Sequence, residues 1–248
     1  MIKYILIFYV LLFNSIFAVV HIDSFNKQSD LGLNQQLSFN LDVLDGNNDY
    51  LSFKPDYRLN YVFSSDQYTQ LFLITTMHYA KKKDITIQDK SFYHLRFIRY
   101  VSDTFRYDLF LQEQSNIFKM LKHRFLLGGS IGRNGINSTI FSHSINMGLM
   151  YELEELSTLE TSQLIRLTHF QQFYIPITNS LNLYTIFYYQ PDIVSFNDYR
   201  ILLENRFVFK LTNHLKYSLI FDFDYDSVVE DSLSSYDMAI KQFISFQF

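Results

Sequence analysis

The 248-residue chain carries 19 Tyr and 26 Phe, no Trp, only 7 Gly and 3 Pro, and no Cys. A hydrophobic share of 48% excludes a disordered chain; the missing cysteine excludes a disulfide scaffold, a thiolate metal site, a cysteine nucleophile and a lipid-anchored N-terminal cysteine. The formal charge of −4 argues against a nucleic-acid-binding surface, and what remains to be explained is where so many aromatic rings go.

Residues 1–18 read as a cleaved secretory signal. Lys3 supplies the early positive charge, an apolar run follows from Tyr4 to Phe13, and a short polar stretch leads to Ala18. The run is short for a membrane-spanning helix, which needs about 20 residues. An uncleaved anchor is the competing reading, because Ile16 is large for the position three before the cut. Residues 19–32 then form a periplasmic N-terminal segment. No later stretch has the length and apolarity of a spanning helix, so a helical membrane protein is excluded.

From residue 33 to 248 the dominant period is two. In 215–225, Leu215, Tyr217, Leu219, Phe221, Phe223 and Tyr225 alternate with Lys216, Ser218, Ile220, Asp222 and Asp224. Phe105, Tyr107, Leu109 and Leu111 alternate in the same way with Arg106, Asp108, Phe110 and Gln112. Successive side chains of a strand point to opposite faces, so each segment has one apolar and one polar face. About twelve such segments follow from this pattern. They lie near 33–43, 50–63, 67–80, 91–101, 104–115, 120–132, 141–154, 162–175, 180–190, 198–211, 214–226 and 235–248. In 162–175 and 180–190 the pattern does not settle which face is apolar. Pro55 falls early in the second segment, and Pro176 and Pro191 just after the eighth and ninth, where a sheet tolerates them. Tight turns at 64–66, 102–103 and 212–214 alternate with longer polar links at 81–90, 155–161 and 227–234. The link 133–140 is longer than that scheme requires.

The segments are long enough to cross a bilayer at a tilt. Two barrels produce this alternation: a soluble one with apolar side chains inside, and a membrane one with them outside. Twelve long strands would leave a soluble barrel too wide to fill. Tyrosines near segment ends (Tyr50, Tyr79, Tyr107, Tyr151, Tyr225, Tyr236) suit an aromatic girdle. Phe248, Phe246, Ile244, Ile240 and Met238 give the last strand an apolar face ending on Phe, which resembles the C-terminal insertion signal of bacterial outer-membrane barrels; Gln242 departs from it. The expected fold is therefore all-β: a closed antiparallel transmembrane barrel of about 12 strands, give or take two, with both termini periplasmic.

The polar face then lines the lumen with Arg58, Arg96, Arg106, Asp108, Lys122, Arg124, Glu152, Arg200, Glu204, Arg206, Lys210, Lys216, Asp222, Asp224, Asp237 and Lys241. If 212–214 is a three-residue hairpin loop, Glu204 faces Asp222, with Arg206 diagonal to both. Such a cluster reads either as an ion-selective constriction or as a charge-pairing network that plugs a narrow barrel, and the second reading is favoured.

Catalytic readings fare worse. In Ser142-His143-Ser144 neither serine shares a face with His143, so no dyad is expected. Asp222, Asp224 and Asp226 form a same-face acidic row without a nearby histidine. His78 and His94 could meet across a hairpin but lack a third ligand, so neither metal nor cofactor is expected.

Three stretches are familiar: Tyr93-His94-Leu95-Arg96-Phe97-Ile98-Arg99-Tyr100, Phe105-Arg106-Tyr107-Asp108, and the run from Arg124 to Gly132 with Gly128, Gly129 and Gly132. With Tyr225-Asp226-Ser227 and Tyr236-Asp237 they make residues 54–248 resemble the YdiY-like family of salt-induced outer-membrane proteins, domain of unknown function 481. The resemblance implies an outer-membrane barrel and carries no catalytic residues. The glycines permit bending or close approach of another segment. The expected function is a passive low-conductance channel or envelope-stress barrel of unknown substrate in a Gram-negative cell envelope. A closed structural or adhesin-like barrel is the alternative, and an outer-membrane lipase or protease the third reading. Expected partners are outer-membrane lipid, lipopolysaccharide (which Lys81-Lys82-Lys83 could touch), the barrel-assembly machinery acting through the C-terminal strand, and small solutes or ions; nucleic acid is not among them.

Overall fold

The computed structural model describes residues 31–44, 50–64, 68–83, 85–138, 140–158, 160–212, 214–230 and 233–246. The expected signal sequence, nearly all of the 19–32 segment and Phe248 lie outside them. The described chain is built from twelve strands: β1 (Gly32–Leu44), β2 (Tyr50–Ser64), β3 (Thr69–Lys82), β4 (Ile85–Tyr100), β5 (Phe105–Asn116), β6 (Leu121–Asn137), β7 (Ser142–Leu156), β8 (Thr161–Thr178), β9 (Leu181–Pro191), β10 (Tyr199–Lys210), β11 (Leu215–Asp226) and β12 (Tyr236–Phe246). They form one sheet in which every strand lies beside its neighbours in sequence. Antiparallel registers join β1 to β6 and β8 to β12. Among the described residues the sheet is open, with no pairing between β1 and β12, in place of the closed ladder expected from the sequence. The sheet divides into two compact units. The first comprises β1–β5, nearly all of β6, most of β7 and the start of β8; the second comprises the rest of β8 and β9–β12, with the junction of β6 and β7.

Burial gives the alternation a sign. In β5 the side chains of Arg106, Asp108, Phe110 and Gln112 are buried; between them Leu109 is 56% exposed, against 1% for Asp108. In β4, Phe92, His94, Arg96, Ile98 and Tyr100 are buried, while Leu95 is exposed. A water-soluble sheet would hide the leucines and leave the charges in water. This sheet does the reverse. Of the two strands whose faces the pattern left open, β8 follows the same rule by burying Arg166 and Thr168 beside Phe170, whereas β9 buries Ile186 and Tyr188. Tyrosines gather on the exposed face near one end of the second unit. Tyr225 pairs with Ile201 and Tyr236, and Tyr199 sits 5.7 Å from Tyr225 and 5.8 Å from Tyr189.

Several links are shorter than the sequence implies. The expected loop at 81–90 is mostly strand, because Ile85, Thr86 and Ile87 extend β4, and Lys83 turns the chain with φ +52°. The expected link at 133–140 shrinks because β6 continues through Asn137; the Ser138 hydroxyl then accepts from the Phe141 N–H. Pro176 lies inside β8 and not after it, beside a register shift that spares the ladder its missing N–H. Between β5 and β6 the chain makes a single 3-10 turn (Ile117–Lys119), capped by Asn116, whose side chain accepts from the Phe118 N–H.

Candidate site: two buried charge clusters

The first unit holds a cluster laid across β4 and β5. Register sets Ile98 against Asp108 and His94 against Gln112, which places Arg96 between the two polar rungs. Arg96 Nη1 donates to Asp108 Oδ2 at 3.3 Å, and its Nε donates to His94 Nε2 at 3.2 Å. With Nε2 thus an acceptor, His94 carries its proton on Nδ1 and donates it to Gln112 Oε1 at 2.9 Å. The imidazole is stacked between Phe92 and Phe110, each 6.0 Å away, and the Arg96 guanidinium lies 5.0 Å from the Phe110 centroid. Gly128 makes room for that ring, since a Cβ there would meet it at 2.5 Å. A second pair, Arg166 Nε to Glu152 Oε1 at 3.2 Å, joins β8 to β7. The side chains of Arg96 and Asp108 are 4% and 0% exposed, and those of Arg166 and Glu152 are 2% and 0%.

The second unit has its own cluster on β10–β12. The β10–β11 register sets Glu204 opposite Asp222, as a three-residue loop at 212–214 requires. Arg206 Nη2 lies 3.2 Å from Glu204 Oε1, Lys241 pairs with Asp222, and Arg200 Nε donates to Asp226 Oδ2 at 2.7 Å. Cations from β10 and β12 thus flank the carboxylates of β10 and β11, so like charges brought together by the register are each compensated.

Of the sixteen charged residues named from the sequence, Arg96, Arg106, Asp108, Glu152, Arg200, Glu204, Arg206 and Asp222 are buried. Arg58, Arg124, Lys216, Asp224, Asp237 and Lys241 are half-buried, whereas Lys122 and Lys210 are exposed near strand ends. Arg124 bonds Glu154 and Lys122 bonds Glu155. Of the terminal signal residues, Ile240 is exposed, and Phe246 and Ile244 lie in β12, where only their backbone is described.

Sequence reasoning missed Arg166, His94, Gln112 and Asp226 as members of these clusters. For Arg166 the signal was absent, because β8 mixes polar and apolar residues on both faces. For Asp226 it was present in the even-numbered row of β11. The suggested meeting of His78 and His94 does not occur: His94 lies opposite Ile74, and His78 opposite Lys90 with Ser52 Oγ 3.4 Å away. His143 and Ser144 point to opposite faces, the first against Phe173 and Gln171 and the second bonded to Gln172.

The family described as protein of unknown function, DUF481, matches residues 37–248. The chain belongs to this family. The match spans nearly all of the described strands, so membership rests on the whole sheet and not on one motif. None of the curated proteins matches. Among solved structures, the NanC porin aligns over 79% of this chain and 94% of its own at a TM-score of 0.50 and 6% identity. The translocator domain of the autotransporter NalP from Neisseria meningitidis aligns over 89% and 90% at a TM-score of 0.43 and 11% identity. The first likeness gives this DUF481 chain the strand arrangement of a porin and says nothing of what it carries.

Proposed function

We propose that this DUF481 protein is an outer-membrane β-barrel, closed by pairing of β1 with β12, that acts as a passive channel of low conductance in a Gram-negative envelope. Its export, its contacts with lipid and lipopolysaccharide, and its assembly through β12 belong to the same proposal, which assigns it no catalytic role. An exposed aliphatic face over a buried charged face is what hydrocarbon outside and a polar interior demand. In β8–β12 the turns 179–180 and 211–214 at one end are short and the links 192–198 and 227–235 at the other are longer, whereas the links 83–84, 117–120 and 157–160, also from an odd-numbered strand to the next, are short. Barrels inserted from the periplasm carry their short turns on the periplasmic side, where an even strand count also puts both termini.

The observation that carries the low conductance is the near-zero exposure of the Arg96–Asp108 and Arg166–Glu152 pairs. Charges lining an open, water-filled pore would be wetted; these are packed against protein. The same observation favours a second reading, in which the interior is shut and the protein is structural or binds through its loops. Planar-bilayer recording separates the two. Small discrete steps from the wild type, enlarged in Asp108→Ala/Arg96→Ala, support the channel. Silence of both proteins at equal insertion supports the closed barrel.

A further inference from the structure

Polar side chains on the exposed face lie mostly near strand ends, as with Arg99, Glu113 and Arg133, but a group in the second unit does not. Asn205 occupies the middle of β10, in register with Thr185 on β9, and the Thr185 hydroxyl donates to Asn205 Oδ1 at 2.8 Å. Both alternate with buried neighbours (Glu204 and Arg206, and Ile186), so they point to the exposed side. Thr185 is in turn in register with Phe173 of β8, whose ring stacks on His143 of β7 at 4.7 Å. His143 Nε2 bonds Gln171 Oε1 at 3.1 Å, and the Gln171 amide reaches His169 Nε2 at 3.0 Å. His169 Nδ1 is covered and has no hydrogen-bond partner among the described residues. Three adjacent strands, β8, β9 and β10, therefore carry hydrogen-bonding groups at mid-strand, joined through Gln171 by His143 from the start of β7, on a face otherwise made of Leu203, Phe187, Phe207 and their like.

We propose that this patch is an intramembrane contact with a second copy of the chain, an inference that rests on the outer-membrane reading above. Headgroups and water lie at the strand ends, and acyl chains offer no donor or acceptor at the depth of Asn205, so its remaining amide hydrogens are matched only by protein. The patch bears carboxamides, a hydroxyl and imidazoles, with no carboxylate, lysine or arginine. It can therefore meet its own image without like-charge repulsion. A carboxamide is both donor and acceptor, so two such groups pair reciprocally across a two-fold axis, and the flanking Leu203 and Phe187 supply the apolar packing of an isologous interface.

The native chain has no cysteine, so single thiols report cleanly. Leu203→Cys and Phe187→Cys, adjacent in register with Asn205 intact, are treated with a short bismaleimide in outer membranes, beside Leu109→Cys on β5 as the distant control. A linked species of twice the chain mass is expected from the first two and not from the third. Adding Asn205→Leu and Gln171→Leu should lower the linked yield about tenfold, the effect of losing paired polar groups in lipid. No linked species, an adduct of another mass, equal linking at Leu109→Cys, or a yield indifferent to Asn205→Leu and Gln171→Leu overturns the proposal. Heat-dependent gel mobility of the same samples reports folding. A folded membrane protein that stays single overturns the contact alone, whereas a water-soluble protein overturns the membrane reading as well.

Discussion

A Cβ on Gly148 would lie 2.0 Å from the Gly129 carbonyl oxygen and 2.6 Å from the Ser130 Cα, against backbone that has no room to withdraw. The corresponding conflict at Gly128 is with the tip of the Phe110 ring, although the Met150 Cβ stands only 2.8 Å away. Gly148→Ala should therefore cost roughly 3–5 kcal/mol, at the upper end of single substitutions, and abolish the folded, heat-modifiable species on gels. Gly128→Ala should be partly rescued by Phe110→Leu, and Gly148→Ala should not. The Arg96–Asp108 pair makes a second test at this scale. Asp108→Leu removes the carboxylate paired with a guanidinium in a nearly dry interior and should destabilise by about 3–5 kcal/mol, whereas Arg96→Met/Asp108→Leu should recover most of the loss. Urea unfolding in detergent micelles, run as a double-mutant cycle, measures both. Recovery absent from the double variant would show that Arg96 is stabilised mainly by His94 and Phe110.

At the scale of elements, two of the hairpins solve one problem in one way. In 101–105 and 211–215 the backbone N–H groups of Val101 and Ser102, and of Leu211 and Thr212, converge on the carbonyl oxygen of Phe105 and of Leu215. The hydroxyl of Ser102 or Thr212 accepts the two N–H groups that the turn leaves over, those of Thr104 and Phe105 or of His214 and Leu215. A short hydroxyl side chain at the second turn position is what allows such tight links without glycine. Ser102→Ala and Thr212→Ala should each cost about 1 kcal/mol, the usual net worth of a lost hydrogen bond, and Ser102→Thr should cost little. Thr212→Ala bears directly on the second charge cluster, because this loop sets the register that puts Glu204 against Asp222. A measured loss well below that figure for both alanine variants would mean that the strands alone hold the register.

For the molecule as a whole, the inverted burial bears on the solvent outside the sheet. Leu109 stands at mid-strand on the exposed face of β5, between buried Asp108 and Phe110. Leu109→Arg should cost about 2–4 kcal/mol if that face meets hydrocarbon at its midplane, and should be nearly silent if it meets water. Folding yield into lipid vesicles, read by gel mobility before and after heating, distinguishes these outcomes. Lysine at Leu111 tests the same face one step along the strand.

The twelve strands were legible because a period of two needs only the local order of residues, and the observed spans follow the pattern closely. The Glu204–Asp222 rung was legible too, since loop length fixes hairpin register. Strand ends were less so: the Lys, Asp and Gln content of 81–90 hides the alternation of Ile85 and Ile87 with Thr86 and Gln88. Arg166 was illegible because its strand offers no clean apolar face. Local order also cannot say which of two faces is covered, since burial depends on what packs across from it. Composition and periodicity by themselves determined an all-β chain with one aliphatic and one charged face. Only the tertiary structure decided that the charged face is the buried one, because only neighbours from other strands can pair Arg96 with Asp108 and leave Leu109 bare.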